Sequence, residues 1–259
     1  DRPEYTARKA FFDRVLTVFG RKPVLEALHT PQLSLHALHV ADSNREDGVM
    51  AEILREATRR KLTVLRHSRT ELARISRNGR QDQGIALDIL CPAFARIEDY
   101  LQTPRTAPQR LLALDGITNP QNLGMIIRSA AAGNIDGILL AKRGNAALGP
   151  LVIKASAGTL YRAPVLFCKS LPAALKECKA GGFSVCALRA DATQSLFDYR
   201  PKGDCIYILG NETDGVSAAS DNLADTALGI PMRNGVESLN VAVTASLIAF
   251  CDSMGAQPA

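Results

Sequence analysis

Three short stretches place polar side chains and glycines at the ends of apolar runs: "DGITNPQNLG" from Asp115, leading to Arg128; "LGNETDGVS" from Leu209; and "IPMRNGVESLN" from Ile230. They contain Asn122, Arg128, Glu212, Ser238 and Asn240, which supply two carboxamides, a guanidinium, a carboxylate and a hydroxyl. Such a set can orient a polar substrate by hydrogen bonds and grip an anion on the arginine. It has none of the clustered His, Cys and carboxylate residues that a metal site requires. Each stretch alone also fits an ordinary strand-to-helix turn, where Gly, Asn, Pro and Asp are the usual residues. Arg128 follows Asn122 by six residues, about 9 Å along a helix axis. Helical side chains lean toward the N-terminus, so a long arginine can return its guanidinium to the loop; the alternative is that it snorkels to solvent.

The elements around these loops form an α/β pattern. From residue 110 the strand candidates are "LLALDGI", "GILLA", "APVLFC", "FSVCALRA", "CIYILG" and "TALGIPM". Helical stretches lie between them, including the one begun at Asn122, "LPAALKECKA" and the C-terminal "SLNVAVTASLIAFCDSM". Continuous apolar strands alternating with helices predict a parallel sheet covered on both faces. Ligands then bind outside the carboxyl ends of the strands, where all three loops lie. The last helix is apolar nearly all round, which predicts burial against its own sheet and against a second subunit.

Residues 18–95 read as a smaller α/β domain, with strand-like "LHALHV", "LTVLRH" and "GIALDIL" and helical "PVLEALH", "DGVMAEILREATRR" and "RTELARIS". Residues 1–17 read as an N-terminal extension. Residues 96–109, rich in proline and polar groups, read as a linker, and 110–259 as the larger domain. Residues 1–110 hold 19 Lys/Arg against 14 Asp/Glu, and residues 111–259 hold 12 of each, so the net charge of +5 belongs to the first part. It is densest between Arg55 and Arg80. Such a run is either a solvated helix face or a grip for a polyanion. The candidate RNA-binding cations are Arg21, Arg59, Arg60, Lys61, Arg77 and Arg80. No apolar run is long enough for a membrane span, and the charged N-terminus lacks the apolar core of a signal peptide, so a cytoplasmic protein is expected. The six cysteines form no CxxC pair and read as buried free thiols. The four histidines read as structural or surface residues.

Taken together, "NPQNLGMIIRSA", "ILGNETDG" and "IPMRNGVESLNVAV" resemble the three motifs of SpoU (TrmH-type) RNA 2′-O-ribose methyltransferases, within the SPOUT superfamily. "VFGRKPVLEAL" and "QGIAL" resemble the start and end of that family's small substrate-binding domain, of the ribosomal-protein L30e type. "VIKASAGTLYRAPV" resembles the segment after the first motif. The resemblance covers about residues 18–255. The chain departs from the family in having Asn119-Pro120 where Asp-Pro is common, "GNETDG" in the second motif and Ala242 where serine is frequent.

The resemblance implies a parallel sheet with helices on both faces, a C-terminal trefoil knot, a homodimer and S-adenosylmethionine as cofactor. Leu209, Gly210, Gly215, Ile230, Met232 and Leu239 would bind the cofactor, largely through backbone groups. Asn122, Arg128, Glu212, Ser238 and Asn240 would be catalytic, and no metal is expected. The family often assigns the arginine as the base that activates the ribose hydroxyl. A guanidinium group keeps its proton up to about pH 12, so a phosphate clamp suits its chemistry better. Ribosomal RNA is the expected substrate and transfer RNA the second choice; the alternative from another class is an RNA-binding protein that keeps the fold without turnover.

Overall fold

A computed structural model of the chain describes residues 3–251, with side chains from residue 8 onward. It divides into two compact units, Asp1–Pro92 and Ala93–Ala259.

The first unit runs α1 (Pro3–Phe12), β1 (Val15–Phe19), α2 (Arg21–Leu28), β2 (Ser34–Ala41), α3 (Gly48–Arg59), β3 (Thr63–His67), α4 (Arg69–Ser76) and β4 (Ile85–Leu90). Its sheet has the order β1-β4-β2-β3, with β4 antiparallel to both β1 and β2 and β2 parallel to β3. Helix α4 begins where its sequence dictates. Ser68 and Glu71 form a capping box in which each side chain satisfies the other residue's backbone N–H. Leu72 of α4 packs against Ala41 and Ala86.

On one face of this sheet, polar side chains form a row across all four strands. Thr17 Oγ1 donates to Asp88 Oδ1 at 2.6 Å, His39 Nε2 lies 3.0 Å from Asp88 Oδ2, and His39 Nδ1 lies 2.9 Å from His67 Nε2. A buried carboxylate is costly unless it is hydrogen-bonded, and here both oxygens of Asp88 are used.

The basic run does not act as one patch. The guanidinium of Arg60 donates to the carbonyls of Leu28 (3.0 Å), Thr30 (3.1 Å) and Leu33 (2.8 Å), and so ties the end of α2 to the end of α3. Arg60 therefore has a structural task. Arg59 is paired with Glu56. Lys61, Arg77 and Arg80 are exposed, and Arg21 lies at the end of the unit where β1 terminates.

The second unit starts earlier than the sequence reading expected. Residues 96–109, read as a linker, contain the second residue of β5 (Ala95–Arg96) and all of α5 (Ile97–Gln102); β5 pairs with the sheet edge and Ile97 is buried in its core. The unit continues with β6 (Arg110–Asp115), α6 (Pro120–Ala132), β7 (Gly137–Ala141), α7 (Pro150–Ala155), β8 (Val165–Cys168), α8 (Leu171–Ala180), β9 (Ser184–Leu188) and β10 (Gln194–Ser195). It ends with β11 (Cys205–Gly210), α9 (Ala218–Asp221), β12 (Thr226–Gly229) and α10 (Val241–Phe250). The eight strands follow the order β10-β12-β9-β11-β6-β7-β8-β5, and every pairing is parallel.

Alternate residues of each strand point to opposite faces, and both faces are buried. Leu111, Ala113, Leu139, Leu166, Val185, Ile206 and Ile208 pack with Leu171, Ala174, Leu175 and Cys178 of α8. Leu112, Leu114, Ile138, Leu140 and Tyr207 are equally buried on the other side, where α10 lies on α6 and reaches β11. Helix α10 begins at Val241, three residues later than expected, and the expected positions Asp252–Met254 lie outside the described residues. All six thiols are free and buried. Burial pushes Cys91, Cys168 and Cys178 up to about 12, so they stay protonated at neutral pH.

Replacing Arg60 with Ala removes three charge-assisted hydrogen bonds and is expected to lower the urea stability of the first unit by about 2 kcal/mol. Unchanged stability together with weakened RNA binding would assign Arg60 to RNA instead.

Candidate active site at the strand ends

The first loop is set by the end of β6 and the start of α6. Asn119 caps α6 by accepting from the N–H groups of Gln121 (2.9 Å) and Asn122 (3.4 Å), and Pro120 fills the first helical position, where a missing N–H costs nothing. This start fixes Asn122, which is 6% exposed.

The second loop leaves β11 through a hairpin-like reversal. Asn211 Oδ1 accepts from the N–H groups of Thr213 (2.8 Å) and Asp214 (2.7 Å), and the Gly215 N–H donates to the Asn211 carbonyl at 3.1 Å. Gly215 takes φ 68°, a conformation that favours glycine. The turn closes so tightly that a Cβ on Gly210 would lie 2.0–2.2 Å from the backbone of Gly215 and Val216. Asp115, at the end of β6, accepts from the Ser217 N–H at 2.9 Å. The first two loops are thereby joined, since Gly210 and Asp115 are themselves paired.

The third loop runs from the end of β12 to α10. β9 and β11 lie between β12 and β6 in the sheet, so residues 230–240 must cross their carboxyl ends to reach the start of α6. Asn240 ends this path with both halves of its carboxamide engaged. Its Oδ1 accepts from the Ala242 N–H at 2.8 Å, and its Nδ2 donates to Asn122 Oδ1 at 3.3 Å. Asn240 is therefore the N-cap of α10. A carboxamide two residues before the N–H it accepts from is a preferred cap, and Ser238 lies outside the helix.

Asn122 joins all three loops. Its Nδ2 donates to Glu212 Oε1 through a short hydrogen bond while its Oδ1 accepts from Asn240. Of the five catalytic candidates, Asn122, Glu212 and Asn240 thus form one hydrogen-bonded set. Arg128 does not join it. Six residues advance a helix by about 600°, which places Arg128 about a third of a turn around α6 from Asn122. It falls on the exposed stripe Gln121, Met125, Arg128 and Ala132 and makes no hydrogen bond or ion pair among the described residues. Ser238 is exposed on the third loop. Of the cofactor candidates, Leu209 and Gly210 are buried at the end of β11, Ile230, Met232 and Leu239 are half-buried along the third loop, and Gly215 is exposed.

The sequence reading missed a fourth loop, residues 142–149 after β7. There Asn145 Oδ1 accepts from the Ile117 N–H at 2.7 Å, and its Nδ2 donates to the carbonyls of Leu114 and Ala141, both at 3.3 Å. Asn145 ties the ends of β6 and β7 to the first loop. Its signal was available, because "KRGNAALG" also follows an apolar strand and mixes glycine with polar residues.

The family model for "SpoU rRNA Methylase family" matches residues 109–250, more than half of the chain. The chain belongs to this family. A second model, "RNA 2'-O ribose methyltransferase substrate binding", matches residues 17–90. Relatives described as "uncharacterized tRNA/rRNA methyltransferase" in Mycobacterium sp. (strain KMS) and Mycobacterium leprae are 34% and 35% identical to this SpoU protein. They cover 93% and 91% of it and 76% of their own length. Among solved structures, the SpoU methyltransferase AviRb of Streptomyces viridochromogenes in complex with the cofactor AdoMet aligns with TM-score 0.61 and 22% identity, over 97% of this chain and 92% of its own. The AdoMet-bound rRNA methyltransferase of Sinorhizobium meliloti aligns with TM-score 0.63 and 19% identity, over 98% and 92%. The chain is a methyltransferase by family membership, and SpoU methyltransferases use S-adenosylmethionine.

The site residues fit that cofactor. The chain of Gly215 and Val216 closes on Gly210, where no side chain can stand, and Ile230, Met232 and Leu239 are half-buried apolar residues of the third loop. Gly210→Ala is expected to open the second loop and remove S-adenosylmethionine binding measured by calorimetry. An unchanged affinity would show that the turn does not shape the cofactor site.

Proposed function

We propose that this chain transfers a methyl group from S-adenosylmethionine to a 2′-hydroxyl of RNA, with ribosomal RNA as the preferred substrate and transfer RNA as the second choice. The observation that carries this reading is the Asn122–Glu212–Asn240 set at the carboxyl ends of β6 and β11, built from the three family motifs. When bound, the cofactor supplies a methyl carbon already activated by its sulfonium leaving group. The protein must hold a poor nucleophile in line with that carbon and relieve it of its proton. Asn122 is rigid because both halves of its amide are used, so the set can serve as a fixed hydrogen-bonding wall for the ribose. Ser238 and the free oxygen of Glu212 face the same need from exposed positions.

Arg128 grips a phosphate beside the target ribose with its parallel N–H donors. Its exposure without a partner supports this, since a spent guanidinium could not make the grip. The same surface supports a homodimer. Ser246 Oγ donates to Ser129 Oγ at 2.8 Å where α10 meets α6, and exposed Met125 flanks Ser129 as exposed Val243 and Phe250 flank Ser246. Apolar residues gathered along one seam, with Arg128 beside them, suit burial by a second copy. The C-terminal trefoil knot belongs to this reading, and so does work in the cytoplasm, whose reducing conditions match six free thiols. Among the described residues no helix is long and apolar enough to cross a membrane.

Labelled methyl from S-adenosylmethionine should appear in RNA from a strain lacking the gene. Nuclease digestion and mass analysis should then place it on ribose; label on a base would contradict the reading. Arg128→Lys should lose most turnover while cofactor affinity is kept. Near-normal activity in that variant would refute the clamp.

A further inference from the structure

The first unit has a cleft of its own, about 490 Å³ in volume and lined by Arg21, Ser43, Asn44, Arg69 and Gln83. These residues come from four turns that meet where β1, β2 and β3 end and β4 begins. Arg21 opens α2, Ser43 and Asn44 follow β2, Arg69 follows β3, and Gln83 precedes β4.

The hydrogen-bond inventory of the cleft is lopsided. Arg21 Nε is shut off from solvent and has no partner among the described residues. The Arg69 guanidinium is exposed, and the carboxylate near it, Asp82 at 3.8 Å, is already satisfied by Ser76 Oγ (2.7 Å) and the Gly84 N–H (2.9 Å). Gln83 spends its oxygen on the Arg21 backbone N–H at 2.8 Å and keeps its amide N–H donors free. Asn44 spends its Nδ2 on the Gly84 carbonyl at 2.7 Å and keeps its oxygen free. The walls therefore offer cationic and amide donors and one amide acceptor, and the nearest carboxylate is Asp82, 3.8 Å from Arg69. A buried donor without a partner is rare in native proteins and calls for an explanation. The turn holds this arrangement under constraint. Gln83 sits at φ 54° and Gly84 at φ 74°, and a Cβ on Gly84 would lie 2.7 Å from Asn44 Nδ2 and 3.0 Å from Arg69 Nη1. A non-glycine residue in this region is uncommon, and such positions gather at ligand sites.

We infer that this cleft binds one unpaired RNA nucleotide, with its phosphate on Arg21 and Arg69 and its base edge between the Gln83 amide N–H and the Asn44 oxygen. The choice of RNA rests on the methyltransferase reading above; the shape and donor set belong to the cleft. Two guanidinium groups suit a phosphate. A phosphate alone would leave the opposed amide donor and acceptor unused, and a base edge presents the matching pair. The volume lies within the range of small-ligand sites, and only a nucleotide outside a duplex can offer its edge this way.

The test uses the full chain and fluorescence anisotropy with two labelled probes. One is an RNA hairpin with an unpaired mixed-sequence loop, and the other is a blunt duplex of the same stem. Wild type should prefer the hairpin. Arg21→Ala and Arg69→Gln should each weaken hairpin binding about tenfold and lower the slope of log affinity against log salt by about one. Duplex binding, cofactor affinity and thermal melting should stay as in wild type. Arg55→Ala removes an equal charge from the exposed side of α3 and should leave the hairpin preference intact. Wild-type hairpin affinity in Arg69→Gln, whose exposed side chain contributes little to packing, would overturn the inference, as would an equal loss in Arg55→Ala. If wild type methylates no RNA yet shows the hairpin preference and loses it in the variants, the enzymatic reading falls and the cleft stands.

Discussion

One buried carboxamide holds the candidate active site together. Asn122 gives its Nδ2 to Glu212, 90 positions away, and its Oδ1 to Asn240, 118 positions away. A buried amide that loses either partner bears the full desolvation penalty of the orphaned group, about 1–3 kcal/mol. Both contacts are therefore specified together. Asn240 extends the constraint, because the same side chain that meets Asn122 also caps α10. The last helix cannot start elsewhere without breaking the link to α6, and the loop of residues 230–240 must cross β9 and β11 to make it. Position, cap and crossing follow from one polar contact.

The central strands of the larger unit were legible because they are buried on both faces. "GILLA" and "CIYILG" form β7 and β11 with the bounds expected, as "LPAALKECKA" forms α8. Continuous apolar runs leave little room for another reading. Two of the misreadings concern boundaries fixed by partners distant in sequence. β5 is two residues long and exists only through its pairing with β8, so nothing local distinguishes "ARIEDYLQ" from a linker. The start of α10 depends on whether Ser238 or Asn240 supplies the cap, and both are good cap formers; the contact with Asn122 decides it. Asn145 escaped notice because three loops matched known motifs and the fourth did not. For Arg128, reach along the axis was weighed without rotation about it, and rotation puts the guanidinium on the exposed stripe of α6.

Charge was a coarser guide than sequence position. The first unit carries the net positive charge, yet its cations divide into distinct tasks. Arg60 is spent on three backbone carbonyls, while Arg59 and Arg66 are paired with Glu56 and Glu46. Exposed pairs of that kind contribute little to stability but remove cations from any field that attracts RNA. Arg21 is half-buried with an unsatisfied Nε, and a desolvated donor gains more from a partner than one already in water.

The most direct test of the central claim is a double-mutant cycle on methyl transfer, combining Asn122→Ala with Glu212→Ala. If the two side chains act as one hydrogen-bonded unit, removing the second after the first should cost little further activity, and the double variant should match the poorer single one. Losses in kcat/KM that multiply fully would show that Asn122 and Glu212 work independently, and the account of a single joined site would fail.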